Sequence, residues 1–178
     1  TARQLGMENY RQLFSPDTEL GRWLATRNTM LRIGRNLFVH AGLSARLLER
    51  NLEMDTLNAR MSEGLYRTSK ERREDPTLEF LYRSAGPVWY RGMVCTDEKY
   101  DPLTPEQTDA LLRRYDADRL LIGHTIFPDI STFHDGRVIA VNVQNERNRR
   151  KNRGRAVLIE GSRISVVGNR GVKRVLEE

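Results

Sequence analysis

Arg119-Leu120-Leu121-Ile122-Gly123-His124-Thr125 is a short apolar run that ends on Gly-His-Thr. This pattern predicts a buried β-strand that places one imidazole at the edge of a sheet. The stretch Asn36-Leu37-Phe38-Val39-His40-Ala41-Gly42-Leu43 has the same order, with an apolar run, a histidine, a small residue and a glycine. Two of the three histidines in the chain therefore end predicted strands. We expect His40 and His124 to approach one another at one end of the sheet.

Two converging imidazoles suggest a metal site. Neutral imidazole is the most common metal-ligating side chain, and a strand end followed by a turn holds the ring rigidly. Taken singly, each histidine is more typical of a core or surface residue, and the shared context favours the site. The third histidine, His134, lies beside the predicted turn Asp135-Gly136 and is left out of the site.

Length and composition predict an ordinary globular chain. Its 178 residues suffice for one core with a helical appendage, and 38% hydrophobic with 30% charged residues suits a well-solvated surface. No apolar run reaches the roughly 18–20 residues that a membrane span needs. The single cysteine, Cys95, excludes an intrachain disulfide and a cysteine-based zinc site. Any targeting signal is expected either upstream of Thr1 or already removed, so the sequence does not indicate a cellular compartment.

The basic character of the chain is local. The net charge is +6, and residues 147–155 carry six Arg and Lys residues and no acid. Without them, 24 basic residues balance 24 acidic ones. We interpret this stretch as a solvated polar loop, with attraction of a phosphate-bearing substrate as the functional alternative.

The order of predicted elements favours a layered α/β fold. Apolar runs at 30–33 and 37–39 predict a hairpin that leads to His40, and residues 44–84 have helical periodicity with many charges on the other face. Thr104-Pro105-Glu106-Gln107 predicts a helix start with a capping box, and this helix leads into the His124 strand. The residues after His124 predict short strands joined by turns.

Three short motifs resemble a known family. Val39-His40-Ala41-Gly42, Pro87-Val88-Trp89-Tyr90-Arg91-Gly92 and Gly123-His124-Thr125 are similar, in order, to motifs of the calcineurin-like metallophosphoesterases. They resemble in particular the bacterial branch similar to phosphoprotein phosphatases, which act on Ser and Thr. The family's earlier motifs, Gly-Asp-x-His, Gly-Asp-x-x-Asp-Arg-Gly and Gly-Asn-His-Glu, do not occur in these 178 residues. The chain therefore resembles only the C-terminal portion of such an enzyme.

The resemblance implies a β-sandwich flanked by helices and incomplete at the N-terminus. Residues 1–43 and 85–178 would form parts of one metallophosphoesterase core, and residues 44–84 a helical insertion or cap. A complete protein would bind two divalent metal ions (Mn, Fe or Zn), for which His40 and His124 would supply two ligands. Arg91 would be the catalytic, substrate-binding arginine, since a guanidinium matches phosphate oxygens and the adjacent Gly92 lets substrate approach closely.

The implied activity is metal-dependent hydrolysis of phosphoric monoesters, with a phosphoprotein as the favoured substrate. This chain would carry half of the site and be inactive alone, with a missing N-terminal segment as its partner. One alternative is hydrolysis of nucleotides or dinucleoside polyphosphates. Another is a noncatalytic module that binds nucleic acid through residues 147–155, and the lack of interleaved aromatic residues there argues against it.

Overall fold

The computed structural model describes residues 2–177, and at its centre is a five-stranded sheet. Its strands are β1 (Met30–Ile33), β2 (Asn36–Val39), β3 (Arg119–Ile122), β4 (Ser131–Phe133) and β5 (Val138–Ala140). Their order across the sheet is β1-β2-β3-β5-β4. β2, β3 and β5 are parallel, whereas β1 and β4 pair antiparallel at the two edges. The parallel pairing of β2 and β3 requires a long connection, and most of the helices lie between these two strands.

A second sheet of three antiparallel strands follows near the C-terminus. It consists of β6 (Arg155–Glu160), β7 (Arg163–Gly168) and β8 (Lys173–Glu177), in that order. The β6–β7 hairpin turns at Gly161, whose φ is +63°, a backbone conformation that glycine adopts without strain. The sequence prediction of a hairpin in this region is confirmed.

Helices connect and cover the strands. They are α1 (Ala2–Leu13), α2 (Glu19–Ala25), α3 (Arg46–Glu49), α4 (Met54–Gly64), α5 (Ser69–Arg73), α6 (Pro76–Tyr82), α7 (Pro105–Arg114) and α8 (Asn145–Arg150). Short 3-10 helices span Glu98–Tyr100 and Asn169–Gly171. α7 begins as predicted: the Gln107 N–H donates to Thr104 Oγ1, and the Thr104 N–H donates to the Gln107 side chain. No helix in residues 2–177 has the length and apolar character that a membrane crossing requires.

The middle of the central sheet, strands β3 and β5, is buried on both faces. One face packs against the helices in a core that includes Leu120 and Ile122 of β3, Leu57 of α4 and Leu111 of α7. Leu121, between the first two, points the other way and joins a second cluster. That cluster also includes Ile139 of β5 and two β7 residues, Ile164 and Val166, so the second sheet covers this face. Burial on both faces explains why the β3 sequence is continuously apolar. The predicted α/β class is confirmed.

The basic stretch 147–155 differs from its prediction as a loop. Residues 145–150 form α8, and only residues 151–154 lie between this helix and β6. Glu146 and Arg150 pair across one helical turn at 2.5 Å, a spacing that stabilises exposed helices. The alternation of Asn with Arg concealed this helix, because the segment has no apolar periodicity.

Candidate active site

The parallel pairing of β2 and β3 brings the two predicted histidines together. Val39 is in register with Ile122, so the chain leaves both strands at the same edge of the sheet. The Gly123 N–H donates to the His40 carbonyl at 2.8 Å, which fixes the two strand ends relative to each other. His40 Nε2 lies 3.1 Å from His124 Nδ1, a hydrogen-bonding distance. The predicted approach of the two rings is confirmed.

The backbone at His124 is unusual. Its φ is +58°, in the left-handed region that residues other than glycine rarely adopt. The Thr125 N–H donates to the Gly123 carbonyl at 2.6 Å, so the chain turns tightly around His124. Such a conformation costs on the order of 1–2 kcal/mol in a non-glycine residue, and strained residues of this kind cluster at functional sites.

The environment of His124 favours its neutral ring. Burial lowers the pKa of His124, and the neighbouring Arg91 guanidinium and His40 ring lower it further. His124 Nε2 is buried and has no hydrogen-bond partner among the described residues. Buried polar atoms are almost always hydrogen-bonded, so this nitrogen has an unused capacity for one hydrogen bond.

Arg91 lies against the same turn. Its Nη1 donates to Thr125 Oγ1 at 2.9 Å and is 3.4 Å from the His124 carbonyl oxygen. The Ala41 N–H donates to the Pro87 carbonyl at 2.9 Å, which attaches the segment before Arg91 to the end of β2. The structure therefore brings together His40, His124 and Arg91, from three separate parts of the chain.

Gly92 has a structural role that differs from the predicted one. It is buried, and a Cβ built on it would lie 2.5 Å from the carbonyl oxygens of Tyr100 and Asp101. The Tyr90 hydroxyl also donates to the Asp101 carbonyl, at 2.5 Å. Close approach at Gly92 is thus made by the polypeptide itself and not by a substrate. The glycine lets residues 90–92 pack on residues 100–101, which positions Arg91.

Two side chains at the site were missed from the sequence. Thr125 anchors the Arg91 guanidinium, and its position inside the Gly-His-Thr motif was the available signal. Trp89, inside the Pro87–Gly92 motif, is 55% exposed. Its ring stands edge-on to the His124 ring, with centroids 5.6 Å apart. An exposed indole therefore borders the site.

The donor set does not fit the predicted pair of divalent ions. Residues 2–177 contain no group of three or more His, Cys, Asp and Glu side chains placed to hold a metal ion. Zinc sites, for example, use three protein ligands when catalytic and four when structural, whereas His40 and His124 supply only two. The prediction of two Mn, Fe or Zn ions is therefore wrong.

Comparison with known proteins gives matches among solved structures. No family model and no curated protein matches the chain. A cold-active protein tyrosine phosphatase has a TM-score of 0.84 and 29% sequence identity, over 95% of this chain and 48% of that one. The cold-active protein tyrosine phosphatase of a psychrophilic Shewanella species has the same TM-score and 28% identity, over 94% of this chain and 48% of that one. The chain thus spans about half the length of the solved structures that it matches.

These matches overturn the resemblance inferred from the motifs. The matched structures are of protein tyrosine phosphatases. The assignment to the calcineurin-like metallophosphoesterases is therefore wrong, and the sandwich specific to that family is not supported. Two of the motifs are a strand end followed by a histidine and small residues, and the third is a short loop that contains Arg91. Matches this short carry little family information, because similar site residues occur on unrelated folds.

Proposed function

We propose that this chain is part of a phosphatase that hydrolyses phosphate monoesters, with phosphotyrosine in proteins as its substrate class. The observation that carries the proposal is the convergence of Arg91, His40 and His124 at the ends of two parallel strands. The similarity to protein tyrosine phosphatases over 95% of the chain supports the reaction class and the substrate.

Arg91 is the proposed phosphate-binding residue. Thr125 holds one of its nitrogens, and the guanidinium fork offers its remaining N–H groups to two phosphate oxygens. No carboxylate lies within ion-pairing distance of Arg91 in the described part of the chain, so its charge is available to a dianionic phosphate ester. Positive charge fixed at this point stabilises the negative charge of the transferring phosphoryl group.

The histidine pair is proposed to handle protons. In hydrolysis the bond between phosphorus and the ester oxygen breaks, water supplies the new oxygen on phosphorus, and the leaving oxygen takes up a proton. An imidazole that is neutral near pH 7 can accept a proton and pass it to a hydrogen-bonded neighbour. His124 has the lowered pKa this requires, and His40 Nε2 is 3.1 Å away.

Other catalytic groups are proposed to lie outside these 178 residues. The matched structures are about twice as long as this chain. The described residues offer an arginine and two imidazoles, which bind phosphate and move protons. The isolated chain is accordingly expected to bind phosphate weakly and to turn over phosphate esters negligibly.

The test is an assay of the complete gene-encoded polypeptide on p-nitrophenyl phosphate and on matched phosphotyrosine and phosphoserine peptides. We expect turnover of the phosphotyrosine peptide and a loss in kcat/KM of about 10²–10³-fold in Arg91→Ala. Arg113→Ala, which removes an exposed arginine on α7, is the matched control and should retain activity. Absence of phosphatase activity in the wild type, or full activity in Arg91→Ala, would overturn the proposal.

A further inference from the structure

A broad cleft opens beside Arg91. It has a volume of about 880 Å³ and lies between the end of α6, the segment containing Trp89 and the 3-10 helix at Glu98–Tyr100. Its lining includes Arg46, Arg83, Arg91 and Lys99. The cleft is therefore continuous, through Arg91, with the proposed phosphate site.

The charge of this cleft is strongly positive. Asp101 is the acidic residue in its lining, against four basic ones. Arg83 and Lys99 have carboxylate neighbours, Glu79 at 3.5 Å and Asp97 at 2.9 Å, but these pairs are exposed and weakly held.

Arg46 has no carboxylate partner among the described residues. Its guanidinium lies over the ring of Phe80, with the guanidinium carbon 5.9 Å from the ring centroid. Together with Arg91, it leaves two uncompensated positive charges in one concave surface. Such a surface raises the local concentration of anions.

The cleft also presents an aromatic surface. Trp89 and Tyr100 both line it, and Trp89 is more than half exposed while its edge contacts His124. An exposed indole between a basic cleft and a phosphate site is suited to contact a flat side chain, because aromatic rings stack and bury large areas. Trp and Arg are also the residues most enriched among binding hot spots.

We infer that this cleft binds the polypeptide that flanks the phosphorylated residue, and that it selects substrates with acidic side chains next to that residue. Arg46 and Arg83 pair with the acidic side chains, and Trp89 packs against the aromatic ring of the phosphorylated tyrosine. This inference rests on the proposed phosphatase function and names the feature of the substrate that the chain recognises.

A fluorescence titration tests the cleft without requiring catalysis. The chain has two tryptophans, so a Trp23→Phe background makes Trp89 the single reporter. The probe is a phosphate-free peptide with one tyrosine flanked by Glu and Asp, compared with the same peptide carrying Gln and Asn. We expect a change in Trp89 emission, with tighter binding of the acidic peptide and a loss of affinity at high salt.

Variants locate the binding surface. Arg46→Ala and Arg83→Ala should each weaken binding of the acidic peptide by up to about fivefold, the range for exposed ion pairs. Arg113→Ala removes one positive charge outside the cleft. It should change the affinity for the acidic peptide only by the small amount that follows from the lower net charge. Two separate cleft variants are used so that a folding defect in one does not decide the result.

Equal affinity for the acidic and neutral peptides, or equal effects of Arg46→Ala and Arg113→Ala, would overturn the inference. Tighter binding of a single-stranded oligonucleotide than of the acidic peptide would overturn it as well. If the acidic peptide binds as expected but the complete polypeptide hydrolyses no phosphate ester, the proposed function fails and the peptide preference of the cleft stands. The two failures are thus distinguishable.

Discussion

His40 and His124 are separated by 84 positions in the chain, yet their ring nitrogens lie 3.1 Å apart. The contact follows from one feature of the fold, the parallel register of β2 and β3. Burial, the Arg91 guanidinium and the His40 ring all lower the pKa of His124. His124 is therefore a sensitive point in the pH dependence of the protein.

Stability is expected to fall on mild acidification because of His124. In the unfolded chain its ring titrates near the ordinary pKa of 6.5, whereas the folded-state pKa is lower. As pH falls through about 6.5, the unfolded state binds a proton that the folded state excludes, so the free energy of unfolding decreases. The loss reaches its limit once pH is below the folded-state pKa. Urea unfolding of the wild type and of His124→Asn between about pH 5 and 8 measures how the free energy of unfolding changes with pH.

The Asn variant should show a shallower dependence on pH than the wild type in this range. Asparagine tolerates the positive φ at this position, so the substitution removes the titrating group without adding backbone strain. Arg91→Gln should weaken the pH dependence of stability in part, since the Arg91 charge is one cause of the lowered pKa of His124. An NMR titration that gives His124 an ordinary or raised pKa would contradict this account.

Gly92→Ala is expected to destabilise the fold by about 1–3 kcal/mol, the usual cost of overpacking. The new methyl group would collide with the carbonyl oxygens of Tyr100 and Asp101, which are backbone atoms and cannot rotate away. Chemical denaturation gives the change in free energy of unfolding. Gly6→Ala in α1 is the control, because no atom lies within 4 Å of the new carbon, and it should be neutral or stabilising by up to about 1 kcal/mol. Equal effects of the two substitutions would contradict the packing role of Gly92.

Local patterns predicted much of the fold. The stretch 119–125 predicted β3 and the turn that follows it. Thr104 and Gln107 predicted the start of α7. Both signals lie within a few neighbouring residues, so the sequence alone could reveal them. Proximity of the histidines could be inferred from two similar strand ends. The surroundings of these residues could not, since the exposure of Trp89 and the collision at Gly92 depend on segments that only the folded chain brings together.

The choice of cofactor failed for a related reason. Motifs of three to six residues predicted which side chains converge, but the number of ligands at a site is a property of the whole arrangement. Among the described residues the convergence ends at two imidazoles and one guanidinium. Three motifs out of a larger set therefore predicted more metal ligands than the chain brings together.

The isolated 178-residue chain is expected to retain much less than one equivalent of Mn, Fe or Zn after dialysis. Two neutral imidazoles leave most of the coordination shell of a divalent ion to water, and no third ligand joins them in the described part of the chain. Elemental analysis of the dialysed protein provides the measurement, with His40→Ala as the comparison for nonspecific uptake. One tightly held equivalent that depends on His40 would show that further ligands reach this site.

One edge of the central sheet exposes apolar side chains. β1 is an edge strand, and its side chains Leu31 and Ile33 share one face and are 43% and 59% exposed. An open groove of about 720 Å³ continues from Leu31 to Phe38 and Val157. An exposed strand edge next to an apolar surface promotes association between chains.

The isolated chain should therefore self-associate in a concentration-dependent way, and Ile33→Lys should reduce this association. A lysine on an edge strand opposes pairing of strands between molecules, and at an exposed position it should change the free energy of unfolding by no more than about 0.5 kcal/mol. Sedimentation velocity over a range of concentrations measures association directly. Val172→Lys is the matched control, because Val172 is 68% exposed and does not line this groove. A strictly monomeric wild type, or equal effects of the two lysine variants, would show that the β1 edge is not the surface through which these chains associate.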